Sequence, residues 1–85
     1  MTCLHMVSSL PGSQSFNRAL ASVQQGDTLL LCEDACYASE FDCLAEVLIM
    51  AEDTAARGIA SPFSAIEYPQ LVELVCRHDK QIHWG

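Results

Sequence analysis

Five cysteines and three histidines are the residues of this chain with the most chemical potential, and two of the thiols sit close together in Cys32-Glu33-Asp34-Ala35-Cys36-Tyr37. A thiol acts as nucleophile or sulfur carrier only as thiolate, which requires a cationic neighbour or a helix N-terminus to lower its pKa. Glu33 and Asp34 push the opposite way, so Cys36 is a weak candidate thiol despite its exposed-looking position after an apolar run. The plain rival is packing, since free cysteine is among the most buried residue types. Cys3, Cys32 and Cys76 read as core, and Cys43 fits either role. Cys76-Arg77-His78 with His83 offers three metal ligands at short range, but structural zinc sites use four ligands in two close pairs, so no metal is expected. Ser8 or Ser9 with His5 or His83 lacks the G-x-S-x-G elbow of a hydrolase, and Gly12 belongs to neither glycine-rich phosphate-binding pattern. No cofactor is implied, and nothing marks the chain as an enzyme on its own.

The elements that must position these groups alternate in type. Cys3–Ser9 reads as a strand closed by the Leu10-Pro11-Gly12-Ser13 turn. A helix is expected from Ser15, taken as N-cap, with Phe16, Ala19, Leu20 and Val23 on one face and Gly26 as the stop. Thr28-Leu29-Leu30-Leu31-Cys32 has no polar alternation, the pattern of a parallel strand covered on both faces. Residues 39–57 admit two readings. One is a single helix on the spacing of Phe41, Leu44, Ala45 and Leu48. The other is a buried strand Glu46–Met50 followed by a short helix through Asp53 to Arg57 that stops at Gly58; the residues alone do not choose. A short strand within Phe63–Tyr68, a helix opened by Tyr68-Pro69, and an edge strand Lys80–Trp84 complete the chain. The expected fold is therefore α/β, with helices covering a mostly parallel sheet. Its C-terminal edge, where ligands usually lie, should hold Ser8, Ser9, Glu33 to Tyr37, Glu52, Asp53, Glu67 and Tyr68.

Size and charge set the limits. Eighty-five residues make one domain, residues 1–85, and 51% hydrophobic residues with a positive mean hydropathy exclude a disordered chain. Eleven acids against four bases give a net charge of −7, and no Lys or Arg lies between Arg18 and Arg57. That balance argues against direct nucleic-acid binding, which relies on Lys and Arg, and favours a cationic protein partner or a merely solubilising surface. No apolar run reaches the roughly 18 residues of a membrane span, and the N-terminal residues lack a secretory pattern. With an odd set of cysteines lacking C-x-x-C spacing, the expectation is a cytoplasmic protein with reduced thiols.

The order of several landmarks resembles the TusB/DsrH family of small sulfur-relay subunits. These are Leu4-His5 with Ser9-Leu10-Pro11, Gly26 through Ala38, Glu52-Asp53-Thr54-Ala55-Ala56-Arg57-Gly58, Ile66-Glu67-Tyr68 with Leu71-Val72-Glu73-Leu74-Val75, and Gln81-Ile82-His83-Trp84. Each is short, and the resemblance lies in their order across nearly the whole chain. It implies a three-layer α/β/α sandwich with a mostly parallel sheet of about five short strands, and it makes the segment before Glu52-Asp53 a strand. It further implies a heterohexamer with TusC-like and TusD-like subunits, in which persulfide sulfur passes from TusA through a TusD cysteine to TusE for 2-thiolation of the tRNA wobble uridine. The chain itself would then be a structural, non-catalytic subunit. A cysteine that some members carry in the first helix is replaced here by Ala19, which speaks against the sulfur-oxidation variant of the role. Ala35-Cys36 stands where the family often has glycine and an aliphatic residue, so Cys36 inherits no role. The segment between Ala38 and Leu44 is shorter than usual, at the expense of a loop and its second helix. Two other expectations stand beside this one: a stand-alone thiol-redox or persulfide-carrying protein acting through Cys36, with Cys32 or Cys43, and a homo-oligomeric binding module without sulfur chemistry.

Overall fold

The computed structural model describes all 85 residues as β1 (Cys3–Val7), α1 (Gln14–Ser22), β2 (Thr28–Leu31), a 3₁₀ turn (Glu33–Tyr37), β3 (Glu46–Met50), α2 (Ala51–Arg57), β4 (Ser64–Ile66), α3 (Tyr68–Arg77) and β5 (Lys80–Trp84). The strands form one five-stranded sheet in the order β4-β3-β2-β1-β5, and every neighbouring pair is parallel. The chain steps outward from β1 to β4 and then returns to the far side of β1. Because parallel crossovers are right-handed, this reversal sends α3 to the face opposite α1. Two apolar clusters reflect that arrangement. Phe16, Ala19 and Val23 pack with Val7, Leu29, Leu31 and Ile49 on one face, and Leu74 packs with Leu4, Leu30, Met50 and Ile66 on the other.

β2 is the centre of the sheet, and all four of its residues are buried. Leu29 and Leu31 point to the α1 face and Leu30 to the α3 face, so the unbroken apolar run is what a doubly covered strand requires. Full burial of each leucine contributes roughly 1.5–3 kcal/mol. The parallel registers Leu4↔Thr28 and Thr28↔Glu46 then fix β1, β2 and β3 against one another.

The α/β class and the layered parallel sheet agree with the expectation from sequence, and so do the strand at Glu46–Met50 and the edge position of Lys80–Trp84. The helical spacing of Phe41, Leu44, Ala45 and Leu48 does not make a helix. Phe41 to Ala45 is irregular, and Leu44 is 74% exposed. Phe41 is held instead by aromatic contacts, edge-on to Phe16 with centroids 5.8 Å apart and tilted against Phe63 at 5.2 Å. α1 also starts earlier than expected. Ser13, not Ser15, is the N-cap, and its hydroxyl accepts the Phe16 N–H at 3.2 Å. The α2 stop at Gly58 is as read: Gly58 adopts φ +64 and its N–H closes on the Ala55 and Thr54 carbonyls. Pro69 lies in the first turn of α3, where its missing N–H costs nothing, and Glu67 and Gln70 form a reciprocal capping box.

Candidate functional site

β2 ends at Leu31, and its continuation is the acidic 3₁₀ turn. Glu33 takes a left-handed backbone (φ +49), unusual for a residue with a Cβ. Its N–H donates to the Asp53 carboxylate at 2.9 Å, and the Arg57 guanidinium reaches Asp34 at 3.2 Å. The turn is thus tied to α2 twice, by its Glu33 N–H to Asp53 and by its Asp34 carboxylate to Arg57, with Asp53 and Arg57 both on α2. β3 runs into α2 without a loop, which brings Glu52 and Asp53 into the first helical turn beside it. Ser8, Cys32, Glu33, Asp53, Tyr68 and His83 line a cavity of about 380 Å³ at this C-terminal edge. Of the residues expected there, Ser8, Glu33, Glu52, Asp53 and Tyr68 do line it, whereas Ser9, Asp34, Ala35, Cys36, Tyr37 and Glu67 do not.

The thiols near this edge are poorly placed for nucleophilic chemistry. Cys36 is fully enclosed beneath the turn, with its sulfur 3.6 Å from the Leu31 carbonyl. Burial pushes its pKa up to about 11, and the Asp53 charge adds to this against the weaker pull of Arg57. Cys32 faces the cavity half-buried, and burial, followed by Asp53, raises it to about 12. Both thiols are therefore protonated at neutral pH. Cys43 packs half-buried against the α1-side cluster, and Cys3 is buried in β1 with its pKa raised by burial and then by Asp27. Cys76, read from sequence as core, is exposed, because it lies on the outward side of α3. Cys76, His78 and His83 do not converge, and no group of three or more His, Cys, Asp and Glu residues is arranged to hold a metal ion. His78 bridges instead, its two ring nitrogens 2.9 Å from Thr2 Oγ1 and from Thr28 Oγ1.

A second polar constellation lies across β1, β2 and β5, and sequence reasoning missed it. His5 is 2% exposed in the middle of β1, and Asp27, immediately before β2, is 7% exposed. Trp84 donates its indole N–H to His5 Nδ1 at 3.2 Å, which requires that nitrogen to be unprotonated. The ring proton is then on Nε2, which donates to Asp27 Oδ2 at 3.0 Å. Asp27 also accepts the Gln24 N–H at 3.0 Å and, on Oδ1, the Cys3 N–H at 2.9 Å. Burial alone would raise the Asp27 pKa, but the hydrogen bonds from Gln24, His5 and Cys3 outweigh it and hold the carboxyl below its usual range. The imidazole and indole stack with centroids 6.3 Å apart. Both nitrogens of His5 are occupied, so it is not a free base for Ser8, Ser9 or Cys3, and the network joins strands. The available signal was the histidine itself: in an apolar strand it falls on the same face as Val7, where it must find buried partners.

What the arrangement offers chemically is an acidic sheet edge with protonated thiols, its turn bonded to α2, joined to a sheet whose far edge is open. Comparison with known proteins adds the relationship. A family model described as "DsrH like protein" matches residues 9–81. The chain is 31% identical over 94 residues to "Protein TusB" of Pectobacterium parmentieri, an alignment covering 95% of this chain and 99% of that protein. It is 29% identical to "Protein TusB" of Pectobacterium atrosepticum over the same shares of the two chains. The alignments are longer than the 85 residues of the chain, so both relatives carry residues that this one lacks.

Proposed function

The chain belongs to the family of DsrH-like proteins, and from that premise we propose that it is a sulfur-relay subunit that acts by assembling with related subunits and does not itself carry the sulfur. The observation that carries this reading is the match to TusB along nearly the entire chain. In the full form of the proposal the partners are TusC-like and TusD-like subunits in a cytoplasmic heterohexamer, and the end product is 2-thiouridine at the tRNA wobble position.

Persulfide transfer proceeds when an acceptor thiolate attacks the outer sulfur of a donor R–S–SH, forming a new persulfide and releasing the donor as R–S⁻. A subunit supports this step by shaping the pocket in which a partner's thiolate and persulfide meet. The protonated state favoured for Cys32 and Cys36 supports placing the reacting cysteine on a partner. The turn from Glu33 to Tyr37, bonded to α2, supplies an acidic surface for a cationic subunit to dock against.

The test is genetic and chemical together. Removing the gene should lower wobble 2-thiouridine in total tRNA, and both the native chain and Cys36→Ala should restore it. Native mass spectrometry of the co-expressed set should show equal copies of three small subunits. Unchanged 2-thiouridine in the deletion strain would overturn the relay reading. Loss of complementation by a folded Cys36→Ala protein, with persulfide found on Cys36 of the native chain, would replace the structural role by that of a carrier.

A further inference from the structure

β5 ends the sheet with only β1 beside it. The Ser8 N–H donates to the Trp84 carbonyl at 3.1 Å, which shows that Trp84 turns its main chain toward β1. Alternate residues of a strand share that direction, so Lys80, Ile82 and Trp84 bond inward, while the amides and carbonyls of Gln81 and His83 face the open side. Natural edges are usually blunted by proline, bulges or covering segments. β5 has no proline or glycine among its five residues, and it runs without a bulge in register with β1 from Cys3↔Lys80 to Val7↔Trp84.

We propose that β5 pairs with β5 of a second copy of this chain, antiparallel about a two-fold axis at Ile82, so that two five-stranded sheets become one. The register follows from which groups point outward. Centring on Ile82 sets Gln81 opposite the second copy's His83 in both hydrogen-bonded positions, and each such pair exchanges two main-chain bonds. Centring on Gln81 or on His83 leaves the other opposite a residue outside the strand. The side chains agree with the same axis. Lys80 falls opposite Trp84, a cation against an indole face, and Ile82 falls opposite Ile82 in a close, non-hydrogen-bonded position. No like charges are opposed within the strand.

Charge and apolar surface favour a copy of this chain as the occupant. The acids of residues 27–53 belong to elements on the other side of β1, so joining at β5 keeps the two strongly negative regions apart. On the α3 side, exposed Tyr68, Val72 and Cys76 line a groove of about 270 Å³ together with Gln81 and His83, and the two-fold brings one such stripe toward the other. This inference does not depend on the sulfur-relay reading, since it uses only the edge and its register.

The purified full chain, measured by light scattering after size exclusion and by native mass spectrometry under reducing conditions, should shift from monomer to dimer with concentration. Gln81→Pro removes an outward N–H from each copy while leaving the bonds to β1, and should weaken the dimer about tenfold or more with an unchanged far-ultraviolet circular dichroism spectrum. Ile82→Cys gives an independent reading: mild oxidation should produce a dimer whose disulfide peptide mapping assigns to position 82 in both copies and not to Cys76. A chain that is monomeric at every concentration overturns the proposal. So does a dimer that a folded Gln81→Pro leaves intact, an Ile82→Cys protein that cross-links only elsewhere, or assembly only with a different chain.

Discussion

Replacing Asp27 by asparagine changes one atom type in a network whose donor directions are all fixed, which makes its cost calculable. Oδ1 can go on accepting the Cys3 N–H, but the new amide then faces two donors, the Gln24 N–H and the proton on His5 Nε2. His5 can escape by moving its proton to Nδ1, where it meets the indole N–H of Trp84 instead. In either tautomer the Gln24 N–H has lost its acceptor, and a second donor, His5 Nε2–H in one and the Trp84 indole N–H in the other, is also left unmet; leaving such a group buried without a partner costs about 1–3 kcal/mol. Loss of the charge-assisted bonds to the carboxylate adds to this, so Asp27→Asn should destabilise by about 2–4 kcal/mol. For a domain of this size, total stability is roughly 4–13 kcal/mol. Urea unfolding followed by far-ultraviolet circular dichroism, with a slope of about 1 kcal/mol/M, should show the midpoint falling by about 2 M or more. Trp84→Phe removes the opposing donor and frees His5 to change tautomer. In the double variant the Asp27→Asn cost should therefore shrink by about 1 kcal/mol or more relative to the single one. Strict additivity, or an Asp27→Asn effect below about 0.5 kcal/mol, would refute the assigned tautomer and the donor count.

The same carboxylate predicts a pH dependence. Because the folded Asp27 pKa lies below its unfolded value near 3.9, its contribution is complete above that value and is lost as pH falls through the folded pKa. The stability gap between the native chain and Asp27→Asn should accordingly narrow in urea titrations below about pH 4, and a constant gap would refute the assignment. Thiol labelling should be strongly ordered: with iodoacetamide at neutral pH, Cys76 should react first, and Cys36 should remain unmodified until the chain unfolds, as read by peptide mass mapping. Early labelling of Cys36 would contradict its enclosure.

What the chain reveals by local pattern and what it hides divide on physical lines. β2 was legible because four consecutive buried residues leave only one kind of strand, and α3 because Pro69, Gln70 and the apolar spacing agree. The start of α1 was displaced because Ser13 and Ser15 are equally good caps by type, and only the path of the turn decides between them. Residues 41–45 left two readings open through their spacing: Phe41 is partly buried against aromatic neighbours from distant segments and Leu44 is left in solvent, neither of which periodicity registers. The edge residues Ser8, Glu33, Glu52, Asp53 and Tyr68 could be grouped from topology alone, since parallel strands deliver their C-termini to one side. Asp27, His5 and Trp84 could not be grouped in advance, because they meet only through the register of β5 on β1 and the turn before β2.

The bond from Trp84 to His5 gives the protein a spectroscopic reporter at one defined joint. The chain has a single tryptophan, so all indole emission originates where β5 meets β1. With its N–H bound to a buried imidazole and its ring only partly shielded, that indole reports on whether the last strand is seated against β1. Fraying of β5 alone should move the emission to longer wavelength while the backbone signal of the sheet persists, so comparing the two separates the loosening of one strand from the melting of the whole domain.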